Sequence, residues 1–258
     1  MSVPKPDLKN KPLIEAIFEL RWELQQKEPA IKIDPHYRIL LGRFFDNVVK
    51  EYPYHEELAS AGIPDEFVGY TVQHRFRKAK NKWPLVQIGP GLVTLNDTEE
   101  YTWKDFVKRA NKLLSILFKT YPKRKELKFN MILLRYIDGI EFDFNKDHAL
   151  NFLQEKMKTK IDIHPNLFDG TGVQQLPFGL NLKLTYLSKQ PKGAILLSFK
   201  RGSMKNKDAI IWETAVQSHG KEVPKAEKSI KNWITKAHTL SDDWFFKIIE
   251  GELFERFK

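Results

Sequence analysis

Apolar side chains recur at every second position along several stretches of the chain, and this spacing predicts β-strands. From Leu13 to Leu24 the even positions are apolar and most odd positions are charged, as in a strand with one buried face. A helix can also be drawn through these residues. The other predicted strands are Phe67–Arg77, Leu85–Ile88, Leu92–Leu95, Leu127–Ile140, Phe178–Leu187, Ala194–Phe199 and Ala209–Val216. Gly89-Pro90-Gly91 predicts a hairpin turn between the two shortest apolar runs.

Apolar spacings of three and four residues predict four helices. The signal Asp34-Pro35 predicts a helix that ends near Tyr52-Pro53. Thr102, followed three residues later by Asp105, predicts a capped helix, and Asp147–Met157 predicts a short one. Ser229–Phe257 has the longest apolar stripe and predicts a single amphipathic helix with a broad apolar surface beneath it.

The order of the predicted elements is β-α-β-β-β-α in residues 1–124 and again in residues 125–258. This order predicts an α+β fold made of duplicated units, with an antiparallel sheet and the long C-terminal helix packed on it. Pro122–Glu126 is too short to separate two domains widely, so we expect the halves to share one core. In element order the plan resembles the helix-grip and TATA-binding-protein-like topologies.

Composition narrows the classes of function. The 258 residues include no cysteine, which excludes disulfides, thiolate nucleophiles and cysteine-based metal sites. No run approaches the ~18 apolar residues of a membrane helix, and Met1–Asn10 lacks the apolar core of a signal peptide. We therefore expect a cytoplasmic protein that does not contact a membrane. The net charge of +10 favours phosphates or an acidic protein as partners.

Common catalytic motifs are absent from the sequence: it has no P-loop, dinucleotide glycine motif, HExxH or GxSxG. The seven histidines are scattered without an i, i+4 pair, so we predict neither a metal site nor a cofactor. Asp138, Glu141 and Asp143 beside a strand end could hold a divalent cation, although solvated turn carboxylates are the commoner arrangement. Arg135 follows a very apolar run and needs a partner if it points inward.

The densest basic stretch is His74–Trp83, and it is the predicted binding site. Cations and one aromatic ring occur there within reach of each other, a combination that suits phosphate contacts and base stacking on single-stranded nucleic acid. The predicted site residues are Arg75, Arg77, Lys78, Lys80, Lys82 and Trp83. A hairpin tip kept soluble by its lysines is the alternative.

Several segments resemble a sporadically distributed family of uncharacterised prokaryotic proteins of similar length. They are Asn10–Arg21 (NKPLIEAIFELR), Val86–Asp97 (VQIGPGLVTLND), Tyr101-Thr102-Trp103, Leu134–Ile137 (LRYI), Ala237-His238 and Asp243–Leu253 (DWFFKIIEGEL). The resemblance implies a bacterial or archaeal protein of the mobile accessory gene pool, where antiphage-defence and toxin–antitoxin components are common. It carries over no catalytic residue.

Three functions remain open from the sequence. The leading hypothesis is a non-enzymatic binding protein that contacts nucleic acid or a partner protein, as a component of antiviral defence or of a toxin–antitoxin pair. The alternative is a metal-independent endoribonuclease that uses His36 or His238 as general acid and base. The third is a small-ligand sensor with a pocket between the last helix and the sheet.

Overall fold

A computed structural model describes residue 6 and residues 8–98 and 100–258 of the chain. Residues 1–5 and 7, which belong to the Met1–Asn10 stretch interpreted above, lie outside the described residues. The helices are α1 Tyr37–Val48, α2 Trp103–Thr120, α3 Ala149–Lys156, α4 Glu227–Ile248 and α5 Glu252–Phe257. The strands are β1 Leu13–Trp22, β2 Gln25–Glu28, β3 Ile31–Ile33, β4 Tyr54–Glu57, β5 His74–Arg77, β6 Leu85–Gly89, β7 Leu92–Asp97, β8 Phe129–Glu141, β9 Asn181–Lys189, β10 Lys192–Met204 and β11 Lys207–His219.

Nine of these strands form one antiparallel sheet in the order β4-β5-β6-β7-β1-β8-β11-β10-β9, and β2 and β3 form a separate hairpin. The two strands at the centre come from different halves of the chain: β1 pairs with β8, and Phe18 lies opposite Leu134. The α+β class, the antiparallel sheet and the C-terminal helix are confirmed. Strand order alone does not establish the predicted duplication.

All five helices pack on the same face of the sheet. Four residues of β1, Ala16, Phe18, Leu20 and Trp22, are fully buried against α1, α2 and α4. A second apolar cluster lies farther along β8, β10 and β11 and includes residues of α3, α5 and the end of α4. Burial of these large side chains, each worth about 1.5–3 kcal/mol, holds the helical layer on the sheet.

The predicted single C-terminal helix is wrong, because the chain breaks between α4 and α5. Gly251 has φ 103°, a conformation that glycine adopts without the steric penalty of a side chain. The apolar stripe continues across the break, since Ile248 and Ile249 before it and Leu253 and Phe257 after it are all buried.

The predicted strand Phe67–Arg77 is also wrong over most of its length, and only β5 is extended. Tyr70 has φ 61°, which breaks the run, and its N–H donates to Pro90 O at 2.8 Å. The backbone comes so close here that a Cβ on Gly89 would lie 1.8 Å from Thr71 O. In this segment the alternation of apolar residues therefore reflects side-chain burial in a loop and does not mark a strand.

Other boundaries shift for local reasons. The predicted connection Arg201–Asp208 is a two-residue turn, because Lys205 and Asn206 have φ 51° and 64°, as in the tight turn of a β-hairpin. The helix predicted from Asp34-Pro35 begins at Tyr37 and ends at Val48. The N-cap prediction is confirmed: Thr102 Oγ1 accepts from Asp105 N at 3.4 Å.

Candidate functional site

A cavity of about 460 Å³ lies on the helical face of the sheet, between α4, the start of α2 and the strands β1, β8 and β11. Its walls combine aromatic rings, among them Trp103, Phe245 and Phe246, with a set of polar side chains. The polar set is Lys11, Tyr101, Thr102, Tyr136, Asp138, Thr214, His238, Ser241 and Asp242.

Three of these polar side chains are buried without a hydrogen-bond partner among the described residues. They are Asp138, Thr214 and Ser241, whose exposed fractions are 2%, 1% and 1%. No hydrogen bond with a described residue is made by Asp138 Oδ2, Thr214 Oγ1 or Ser241 Oγ. A buried polar group left unpaired costs about 1–3 kcal/mol, so three at one cavity are an unusual concentration.

The carboxyl group of Asp138 is neutral at ordinary pH. Burial disfavours its charged form and raises its pKa from 3.8 to about 8. Asp138 forms no ion pair with any residue in the described part of the chain, so nothing offsets this desolvation. At neutral pH the group is therefore a carboxylic acid that can donate one hydrogen bond and accept others.

A hydrogen-bonded chain of three side chains borders the same cavity. Tyr101 OH lies 2.9 Å from Tyr136 OH, and Tyr136 OH lies 3.0 Å from His238 Nδ1. The ring of Trp103 stacks on His238 with 3.7 Å between ring centroids. Burial raises the pKa of both tyrosines above the usual value, so their hydroxyls remain protonated and the chain is held in place.

Strand and helix periodicity bring these residues together. Tyr136 and Asp138 are two residues apart on β8 and so share its helical face, and Thr214 on β11 lies opposite Tyr136. His238 and Ser241 are three residues apart on α4 and point to the same side. The residues Tyr101 and Trp103 flank the N-cap of α2.

The structure also shows where the predicted basic site lies. The guanidinium of Arg77 is almost buried and donates to Glu56 Oε2 at 2.8 Å and to Lys82 O at 3.2 Å, and it lies over the ring of Trp83. Arg75 Nε donates to Gln87 Oε1 at 2.7 Å. Both arginines thus have partners within the fold.

The lysines of that segment differ from the arginines. Lys78, Lys80 and Lys82 are exposed in the loop between β5 and β6, whereas Trp83 is half-buried. Of the six predicted residues, these three are exposed, and their ammonium groups donate no hydrogen bond to another described side chain. The nucleic-acid site therefore stays a prediction.

The two candidate catalytic histidines lie in separate environments. His36 Nε2 lies 2.8 Å from Glu126 Oε2, and its ring contacts Tyr121. His238 belongs to the cavity, and His36 is not among the cavity-lining residues. The structure therefore does not unite them in one acid and base pair.

The other charged residues singled out from the sequence either form ion pairs or, in the case of Asp138, are buried. Arg135 Nε lies 3.0 Å from Glu213 Oε1, an ion pair without the angle of a hydrogen bond. Glu141 pairs with Lys207 and Asp143 with Lys146. The interpretation of Asp138 as a solvated turn carboxylate is wrong, because β8 continues past it and buries it. Among the described residues, no group of three or more acidic or histidine side chains could hold a metal ion.

The signal for the cavity was present in the sequence. Ile132, Leu134, Tyr136, Asp138 and Ile140 alternate along β8, and an acid on an otherwise apolar face marks a buried polar site. Thr214 and Ser241 gave no such signal, since both residue types occur in ordinary cores. Five segments of the family resemblance supply residues to the cavity: Asn10–Arg21, Tyr101-Thr102-Trp103, Leu134–Ile137, Ala237-His238 and Asp243–Leu253.

Comparison with known proteins gives no identification. No family model and no curated protein matches this sequence, so the family resemblance stays a prediction. No helix in the described ranges is long and apolar enough to cross a membrane.

Proposed function

We propose that this protein binds a small molecule in the cavity between α4 and the sheet. The observation that carries the proposal is the set of three buried polar groups, on Asp138, Thr214 and Ser241, that lack partners within the described fold. A fold that holds such groups loses stability unless something else bonds to them. A ligand with matching polar groups recovers that loss on binding.

The size and walls of the cavity fit this proposal. A volume of about 460 Å³ lies within the range of about 300–1,000 Å³ that is typical of small-molecule sites. Such sites combine aromatic walls with a few convergent polar groups, and here Trp103, Phe245 and Phe246 supply the former. The chain from Tyr101 through Tyr136 to His238 fixes one wall before a ligand arrives.

A fragment screen by ligand-observed NMR tests the proposal. We expect fragments to bind the wild-type protein and to lose binding to Ser241→Met, because the longer side chain extends into the cavity. Thr235→Met on the exposed side of α4 is the matched control and should bind as the wild type does. Fragments that bind all three proteins equally, or none of them, would show that the cavity is not a ligand site.

A second proposal concerns the origin of the fold: the halves before and after Pro122 are repeats of one β-α-β-β-β-α unit. The strand order supports it, because β7, β6 and β5 follow β1 outward on one side and β11, β10 and β9 follow β8 on the other. Strands β2, β3 and β4 would then be additions to the first unit. Superposition of residues 13–120 on residues 129–248 tests it, and unmatched helix positions would refute it.

We retain contact with nucleic acid or an acidic partner as a second candidate function, now limited to the three lysines of the predicted site. Its support is the exposed cluster Lys78, Lys80 and Lys82 in one loop. Filter binding of single-stranded RNA and DNA at several salt concentrations tests it. Replacing the three lysines by alanine should reduce the salt dependence by roughly 0.7 in log–log slope for each phosphate that the variant no longer binds, and unchanged curves would exclude this loop.

A further inference from the structure

We propose that the ligand of the cavity is an uncharged, planar molecule whose edge carries a carbonyl group beside an N–H group, as in a lactam or a nucleobase. This edge pairs with the neutral carboxyl group of Asp138. The inference deepens the proposed function and rests on it, because it names the chemical class that the same cavity selects.

The first step is the state of Asp138 without ligand. Its side chain is 2% exposed, and it has neither a hydrogen bond nor an ion pair with a described residue. Ionisation of a carboxyl group in such surroundings is far more costly than burial of the neutral acid. Burial accordingly raises its pKa to about 8.

The second step is the match between the acid and the edge of a ligand. A neutral carboxyl group presents an O–H donor and a carbonyl acceptor side by side in one plane. A lactam presents the complementary carbonyl acceptor and N–H donor at the same spacing. Two parallel hydrogen bonds satisfy both groups without transfer of a proton, and such a pair also fixes the plane of the ligand.

The third step concerns the rest of the cavity. The hydroxyls of Thr214 and Ser241 can each donate or accept, so they suit further polar atoms on the ring of the ligand. Phe245, Phe246 and Trp103 supply apolar and aromatic surface for its body. A flat ring with polar atoms along one edge makes use of both kinds of wall.

Other groups at the cavity also titrate and must be separated from Asp138. Lys11 Nζ donates to Tyr101 O at 3.1 Å, and His238 and Asp242 lie on the α4 side. The buried hydroxyls of Tyr101 and Tyr136 stay protonated because their pKa values are raised. A pH profile alone therefore does not assign the effect, and a variant of Asp138 is needed.

The test uses 2-pyridone, a small lactam, with the full-length protein and ligand-observed NMR. We expect binding at about pH 6.5 and a loss of affinity of roughly 30-fold at about pH 9.5, as the acid ionises above its pKa of about 8. N-methyl-2-pyridone, which has the carbonyl but no N–H, should bind at least about tenfold more weakly because one of the paired bonds is missing.

Asp138→Asn assigns the effect. The amide also offers a carbonyl acceptor beside N–H donors, so 2-pyridone should still bind, and the loss of affinity above pH 8 should disappear. Asp138→Leu should abolish binding. Asp46→Asn on the exposed side of α1 is the control and should keep the wild-type pH profile.

Three results would overturn the inference. Tighter binding of the cation benzamidine than of 2-pyridone, increasing with pH, would show that an ionised Asp138 selects a cation. A wild-type pH profile in Asp138→Asn would show that another group controls binding. If other fragments bind the wild type and fail with Ser241→Met while 2-pyridone does not bind, this inference fails and the proposed function stands.

Discussion

Two groups of buried polar side chains, one on each face of the sheet, differ in their hydrogen bonding. On the face opposite the helices, polar residues of neighbouring strands bond to one another. Arg75 Nε donates to Gln87, the amide of Gln87 donates to Thr94 and Asn96 at 3.1 Å, and Asn96 Nδ2 donates to Glu15 at 2.7 Å. This network crosses four strands.

On the helical face three polar residues of the cavity are arranged otherwise. Asp138, Thr214 and Ser241 line one cavity, and their buried oxygens Oδ2, Oγ1 and Oγ have no hydrogen-bond partner among the described residues. Both sets are largely buried, because Thr94 and Asn96 are 3% and 5% exposed. The difference is therefore not one of exposure but of hydrogen bonding within the described fold.

The largest expected effect tests the apolar part of the helical face. Trp233 is 3% exposed, and its Nε1 donates to Ser218 Oγ at 2.8 Å. We expect Trp233→Ala to lower the free energy of unfolding by about 3–5 kcal/mol, as measured by urea denaturation. Trp244→Ala should cost clearly less, since Trp244 is only half-buried. Equal losses of unfolding free energy would mean that Trp233 and Trp244 do not differ in burial as they do in the structure.

The next effect tests the isolation of Asp138 through its pH dependence. Its pKa of about 8 in the folded protein exceeds the value of about 4 in an unfolded chain. Between these values the folded state keeps a proton that the unfolded state has released, so stability falls as pH rises through that range. Asp138→Asn should therefore gain stability over wild type, by a few kcal/mol at pH 7.

Thermal unfolding of wild type and Asp138→Asn from about pH 4 to about pH 9 measures this effect. The advantage of the variant should be small at the acid end, grow through neutrality and level off above pH 8. An advantage that does not change with pH would mean that the carboxyl group has a partner in the folded protein.

A smaller effect tests the network on the opposite face. Asn96 connects Gln87 and Thr94 with Glu15, so Asn96→Ala leaves buried groups unpaired and should cost about 1–3 kcal/mol in chemical denaturation. Asn151→Ala on the exposed side of α3 is the control, and we expect it to be neutral. A neutral Asn96→Ala would remove the contrast between the two faces.

The smallest effect concerns the basic segment. Replacing Lys78, Lys80 and Lys82 together by alanine should change the free energy of unfolding by at most about 0.5 kcal/mol. Arg77→Ala should lower the free energy of unfolding by more, because it removes the ion-pair partner of the largely buried Glu56 carboxylate. Comparable effects in differential scanning calorimetry would mean that this ion pair does not form.

The sequence predicts an element of this fold where the buried residues recur at a regular spacing on one side of it. The alternation of β1 and the cap at Thr102 were sufficient to predict a strand and a helix. The break at Gly251 could not be predicted, because the apolar spacing continues through it. Strand β2 has the sequence QQKE and is fully exposed, so it carries no apolar signal.

The cavity could be predicted only in outline. A pocket between the last helix and the sheet was one of the interpretations, but its residues depend on the pairing of β8 with β11, which places Thr214 opposite Tyr136. Register between distant strands is set by packing of the whole sheet. The partner of Arg77 on β4 could not be predicted from composition, because it depends on the pairing of β4 with β5.

The most direct measurement of the central contrast is the stability of Thr214→Val without ligand. Valine keeps the shape of threonine and removes the hydroxyl, which has no partner in the described fold. We predict no decrease in the free energy of unfolding, whereas Thr120→Val should lose stability, since Thr120 Oγ1 donates to Ile116 O at 2.8 Å. A decrease of about 1–3 kcal/mol in Thr214→Val would show that this hydroxyl is already satisfied and would contradict the account.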